Sequence, residues 1–81
     1  MLVTVRLFAR LREIAGAPDV SVVLPEAATV RDAWQSLAGR FPALVAYAGS
    51  VSCAVNEDYA RMNAALKDGD EVAFLPPVSG G

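Results

Sequence analysis

Thr29-Val30-Arg31-Asp32-Ala33-Trp34-Gln35-Ser36-Leu37-Ala38-Gly39-Arg40-Phe41-Pro42 is the stretch on which the fold turns. Thr29 is an N-cap residue type, and Asp32 stands three residues on, in capping-box position. Val30, Trp34, Leu37, Ala38 and Phe41 recur at helical spacing and make one apolar face. Pro42 limits the helix, because a residue before proline is biased away from the α region. No other stretch of the 81 residues predicts a long helix.

On the N-terminal side of this helix, Leu2 to Phe8 reads as a strand. Val3, Val5 and Leu7 point one way, Thr4 and Arg6 the other. Leu11, Ile14 and Ala15 form a short helical turn that stops at Gly16-Ala17-Pro18. Val20 to Leu24 is a second strand, closed by Pro25. On the C-terminal side, Ser52 to Val55 is a strand with Cys53 and Val55 on one face. Asn56-Glu57-Asp58 is a turn, Tyr59 to Met62 a short edge strand, and Asp68-Gly69-Asp70 another turn. Glu71 to Leu75 is the last strand, stopped by Pro76-Pro77.

The order is strand, strand, helix, strand, short strand, strand. That is an α+β layout with one main helix packed on one face of a mixed sheet of about five strands. It predicts a β-grasp, ubiquitin-like roll, with residues 1–77 as the domain and 78–81 as a flexible diglycine tail. In such a roll the first and last strands lie parallel and adjacent at the centre. With Val72 and Phe74 facing the helix, Leu75 faces out, and so does Phe8 after Val5 and Leu7. Parallel neighbours bring these two together where the tail leaves the sheet. Such a pair is either a docking patch or part of a core beneath the segment 9–18.

Composition narrows the function. The chain is 54% hydrophobic with a net charge of −2, enough apolar content for a modest core without disulfides. Its six arginines are scattered and make no basic stripe, which argues against nucleic acid. The one lysine, Lys67, argues against a modifier that forms chains on itself. One cysteine, Cys53, allows no internal disulfide and fits a reducing compartment. The N-terminal residues show no signal-peptide apolar run. The longest uncharged stretch, Phe41 to Asn56, is about 16 residues and falls short of a membrane span. A cytoplasmic protein is the expectation.

Side-chain catalysis finds little support. There is no histidine, which removes the commonest general base and metal ligand. No zinc cluster, Walker loop or dinucleotide fingerprint occurs. Cys53 sits in an apolar strand and reads as structural. Asp68, Asp70 and Glu71 read as a solvated turn rather than a metal site. Asn56 and Tyr59 read as turn and edge-strand residues. Arg10, Arg12 and Glu13 form a solvated face, from which Arg12 can pair with a partner's acidic group.

The tail remains. Pro76 and Pro77 remove two N–H donors and favour an extended exit for Val78, Ser79, Gly80 and Gly81. Glycine has no Cβ, so a diglycine end can thread a narrow partner site and present its carboxylate. A carboxylate is a poor electrophile and needs activation as an acyl-adenylate. Nothing in the sequence binds ATP, so a separate activating enzyme is implied. Two terminal glycines alone are a weak sign. The Pro-Pro stop, the short length and the β-grasp order strengthen it.

The chain resembles the small subunit of molybdopterin synthase, the MoaD-type sulfur carriers. Phe8-Ala9-Arg10-Leu11-Arg12-Glu13-Ile14-Ala15-Gly16, Thr29-Val30-Arg31-Asp32 and Ala54-Val55-Asn56 carry the resemblance, with the closest block running from Leu66 to Gly81. The resemblance implies that an E1-like adenylyltransferase (MoeB-type) adenylates Gly81 with ATP. A sulfurtransferase or cysteine desulfurase then supplies sulfur, giving a thiocarboxylate. The tail, Pro76 to Gly80, inserts into the large synthase subunit (MoaE-type), and sulfur passes to cyclic pyranopterin monophosphate. Two small subunits flank a dimer of large ones. Phe8, Arg12 and Leu75 are the expected partner contacts, with no metal and no stably bound cofactor on this chain. A thiamin or tungsten-pterin sulfur carrier, a ubiquitin-like protein modifier and a plain interaction domain remain as alternatives.

Overall fold

Alternation along the first segment produces the central strand. In β1 (Leu2–Leu7), Val3, Val5 and Leu7 are buried, while Arg6 is exposed. The computed structural model describes residues 1–77. After β1 the chain turns through Ala9, at φ 52°, into the short helix α1 (Ala9–Ala15). Gly16 ends α1 in the left-handed region at φ 75°, its N–H donating to the Arg12 carbonyl at 2.9 Å. Strand β2 (Asp19–Val23) then pairs antiparallel with β1, from Leu2 opposite Val23 to Arg6 opposite Asp19.

Helix α2 (Val30–Arg40) starts at the expected capping box. The Thr29 N–H donates to Asp32 Oδ2 at 2.7 Å. Two more first-turn donors find partners in a later segment: Val30 N–H reaches the Ala64 carbonyl at 3.0 Å and Arg31 N–H the Met62 carbonyl at 2.8 Å. These are groups a helix start leaves unpaired. Val30, Ala33, Trp34 and Leu37 are buried against the sheet, and Trp34 meets Phe74 edge-on at 4.9 Å between ring centroids.

The chain does not fall into a loop at Pro42. It continues as a 3₁₀ helix over Pro42–Tyr47, with Pro42 at its start and Leu44 fully buried. Proline at the first position costs no hydrogen bond, so the residue that limits α2 also opens the next turn. Strands β3 (Ser52–Val55) and β4 (Asp58–Ala60) form a tight hairpin. Val55 pairs with Asp58 across Asn56 and Glu57, both at positive φ (49° and 74°). That two-residue turn starts β4 at Asp58, so the strand read as Tyr59 to Met62 begins and ends earlier. Strand β5 (Glu71–Leu75) has its expected bounds.

The sheet order is β2-β1-β5-β3-β4, with β1 and β5 parallel at the centre and β3 antiparallel to β5. α2 covers one face over a core that includes Val3, Val5, Leu7, Leu37, Val72 and Phe74. This is the β-grasp roll that the element order predicts.

Candidate functional site

Burial of Val72 and Phe74 towards α2 sends Glu71, Ala73 and Leu75 to the opposite face. The parallel register sets Thr4 against Glu71, Arg6 against Ala73 and Leu7 against Phe74. One step further brings Phe8 and Leu75 to the same level, at the point where the chain leaves β5. On its other side Leu75 lies opposite Ser52, and Ala73 lies opposite Ala54, which in turn faces Tyr59. Phe8 is 37% exposed, Tyr59 is 87% exposed, and Leu75 is half-buried. Phe8 and Leu75 therefore stand at the surface rather than in the core, with Leu75 partly covered.

Charge frames this patch. The Arg6 guanidinium lies 5.7 Å from the centre of the Phe8 ring and 3.5 Å from Glu71 Oε1. Arg10 pairs with Glu13 at 3.1 Å. Arg12, one helical turn beyond Phe8, is exposed and has no ion-pair partner among the described residues. Pro76 is half-buried and Pro77 exposed. Val78, Ser79, Gly80 and Gly81 lie outside the described residues. Arg6, Ala73 and Ala54 join the face without having been singled out in the sequence. Period-two counting from Phe8 and Leu75 would have found Arg6 and Ala73.

Elsewhere the side chains are structural. Cys53 is buried, its thiol donates to the Ala60 carbonyl at 3.1 Å, and burial pushes its pKa up. A thiol of that kind is held away from the reactive thiolate. No three His, Cys, Asp or Glu side chains among the described residues come together as a metal site, and no helix among them is long and apolar enough to cross a membrane.

The Asp68-Gly69-Asp70 turn is more than solvated surface. Asp68 Oδ1 accepts the Leu2 N–H at 2.6 Å, and Gly69 N–H donates to the Leu2 carbonyl at 2.8 Å. Asp70 accepts from the Asn56 side-chain amide at 2.9 Å and from Lys67 N–H at 2.8 Å. Asn56 Oδ1 accepts the Glu71 N–H at 3.0 Å. The turn thus ties β1, the β3–β4 hairpin and β5 together at the end of the sheet away from Leu75. Asn56, with Lys67, holds the Asp70 carboxyl below its ordinary pKa.

The sequence profile of the ThiS family matches residues 5–81. The chain is 38% identical over 79 residues to the molybdopterin synthase sulfur carrier subunit of Arabidopsis thaliana, covering 98% of this chain and 82% of that protein. It is also 38% identical over 84 residues to small archaeal modifier protein 1 of Haloferax volcanii, covering 94% and 97%. The crystal structure of that modifier superposes with a TM-score of 0.87 at 35% identity over the whole of both chains. A protein–protein complex of subunits 1 and 2 of the molybdopterin-converting factor from Helicobacter pylori 26695 gives a TM-score of 0.68 at 27% identity, covering 100% of both chains. Matched almost end to end in sequence and in fold, the chain belongs to the ThiS family of β-grasp proteins.

Proposed function

We propose that the chain is a cytoplasmic sulfur carrier of molybdopterin synthesis, with Gly81 as the reacting residue. The observation that carries this reading is the match of the chain, end to end, to molybdopterin synthase sulfur carrier subunits of nearly the same length, with the ThiS profile running through residue 81. The Gly81 carboxylate attacks the α-phosphate of ATP held by an E1-like enzyme, releasing pyrophosphate and leaving an acyl-adenylate. The terminal sulfur of a persulfide on a sulfurtransferase or cysteine desulfurase attacks the acyl carbon and displaces AMP, giving an acyl disulfide. A thiol then cleaves its S–S bond, forming a disulfide with the donor sulfur and releasing the Gly81 thiocarboxylate. Residues 76–81 enter the large synthase subunit, where the sulfur passes to cyclic pyranopterin monophosphate. Phe8, Leu75 and Arg12 dock that subunit beside the tail. The Helicobacter pylori complex supports a partner of this kind.

The test is mass spectrometry of the chain after incubation with ATP, the activating enzyme and a sulfur donor. Replacement of one oxygen by sulfur, placed on Gly81 by fragmentation, is the expected result. Fragmentation is essential because oxidation of Met1, Met62 or Cys53 mimics the gain. An unmodified Gly81 with a competent enzyme would overturn the reading.

Similarity to the archaeal modifier favours a second reading, attachment of Gly81 to lysines of other proteins. Gly-Gly remnants on cellular lysines that vanish when the chain is removed would support it.

A further inference from the structure

The helix side of the molecule carries a feature that sulfur transfer does not use. An open groove of about 320 Å³ runs between α2, the 3₁₀ helix and the segment after β4. Trp34, Ala38, Val45 and Met62 give it an apolar floor, Arg31 and Gln35 line it too, and no carboxylate does. Its walls are fixed in place. The Arg31 N–H to Met62 carbonyl bond holds the later segment against α2, and buried Leu44 anchors the 3₁₀ helix.

Two donors there lack partners among the described residues. Arg31 makes no ion pair and no side-chain hydrogen bond among the described residues, and its neighbour Asp32 is committed to the helix cap. Trp34 is 4% exposed, and its indole N–H has no hydrogen-bond partner among them either. Yet no buried side-chain polar atom is left unsatisfied. Trp34 is one of the residues that line the groove. A protein of net charge −2 thus sets a guanidinium beside apolar surface and its one tryptophan.

We infer that this groove docks a short acidic–apolar segment of a partner protein. The segment's carboxylate meets the Arg31 guanidinium and the Trp34 indole N–H, and its adjoining apolar side chain lies on Ala38, Val45 and Met62. The planar guanidinium fork matches a carboxylate. An open-sided groove suits a chain passing through it better than an enclosed small molecule. Trp34 packs on Phe74, which points away from the face of Ala73 and Leu75. The groove can therefore be filled while the opposite face is engaged, and the inference stands whether or not Gly81 carries sulfur.

The test titrates the full chain with an acetylated, amidated pentapeptide in which an aspartate precedes two leucines between glycines. Its counterpart carries asparagine for aspartate. Trp34 is the only tryptophan, so its fluorescence and indole N–H resonance come from a single residue that lines the groove. Saturable shifts of that resonance and of the Arg31 and Val45 amides are expected, with a dissociation constant of about 0.1–1 mM. Arg31→Gln, or the asparagine peptide, should weaken binding roughly three- to ten-fold. Val45 is 61% exposed, so Val45→Asp should leave the fold intact and weaken binding as much. Absence of saturable shifts, shifts confined to the Leu75 face, or equal affinity for both peptides would overturn the proposal. So would tighter binding of indole-3-acetate than of the peptide, which would mark a small-molecule pocket.

Discussion

Leu75 and Asp70 sit at opposite ends of one five-residue strand and its approach, and they do different work. Leu75 is half-buried at the root of the tail, so an aspartate there stays solvated in the free chain and loses an apolar contact in a complex. With the proposed docking, Leu75→Asp should weaken large-subunit binding several-fold or more, with the melting temperature little changed. Calorimetric titration of the folded variant checks this, and unchanged affinity would remove Leu75 from the interface. Asp70 is a stability residue. Its folded pKa lies below the ordinary carboxylate value because Asn56 and Lys67 donate to the charged form. Its contribution is therefore complete above the unfolded pKa and fades as pH falls through the folded one. Denaturation of the wild type and Asp70→Asn across pH should give a stability gap that is flat above about pH 5 and narrows below about pH 4. A gap that widens in acid would contradict the assignment. Neither residue's full role was legible in the sequence. Counting by twos put Leu75 on the outer face, but its partial cover comes from neighbouring strands. The bonds from Asp68 to Leu2 and from Asp70 to Asn56 span distant positions and leave no periodic trace.

Among the elements, the helix and strands were legible where a pattern repeats. α2 announced itself through its capping box and apolar stripe, and β5 through Val72 and Phe74 between two turns. The 3₁₀ helix did not, because Pro42 reads as a stop and Leu44 is its only fully buried anchor. The β3–β4 hairpin shows how a turn can override a strand's apparent bounds. Asn56 and Glu57 both take positive φ, the geometry of a type I′ turn, whose preferred second residue is glycine. Glutamate in that conformation carries backbone strain. Glu57→Gly relieves it but adds freedom to the unfolded chain. A net gain of about 0.5 kcal/mol is expected, raising the melting temperature by about 2–4 °C. Thermal unfolding followed by circular dichroism checks this, and a loss of stability would mean that the Glu57 side chain matters beyond the turn.

For the whole molecule, topology was the most legible feature. Strand order placed β1 beside β5 before any contact was known. The proposed tail chemistry rests on residues beyond those described, and only their order in the sequence speaks for it. The buried core runs from Val3 to Phe74, and a chain ending at Pro77 keeps all of it. A chain ending at Pro77 should therefore unfold within about 0.5 kcal/mol of the full one, while losing every activity that requires Gly81. Parallel denaturant titrations of the two chains decide the first point. A large loss of stability would show that residues 78–81 help to hold the domain.

The central parallel pair has a mechanical consequence. β1 and β5 are joined along Thr4 to Leu7 and Glu71 to Phe74. Traction applied beyond Leu75, resisted at the start of β1, runs along both strands in shear. Such a load is shared by all the bonds of the ladder at once and cannot peel them one after another. The two strands with most to lose are also flanked on both sides, by β2 and by β3. On the proposed function, an end drawn out of one protein's cleft and fed into another's would be anchored where the domain best withstands being pulled.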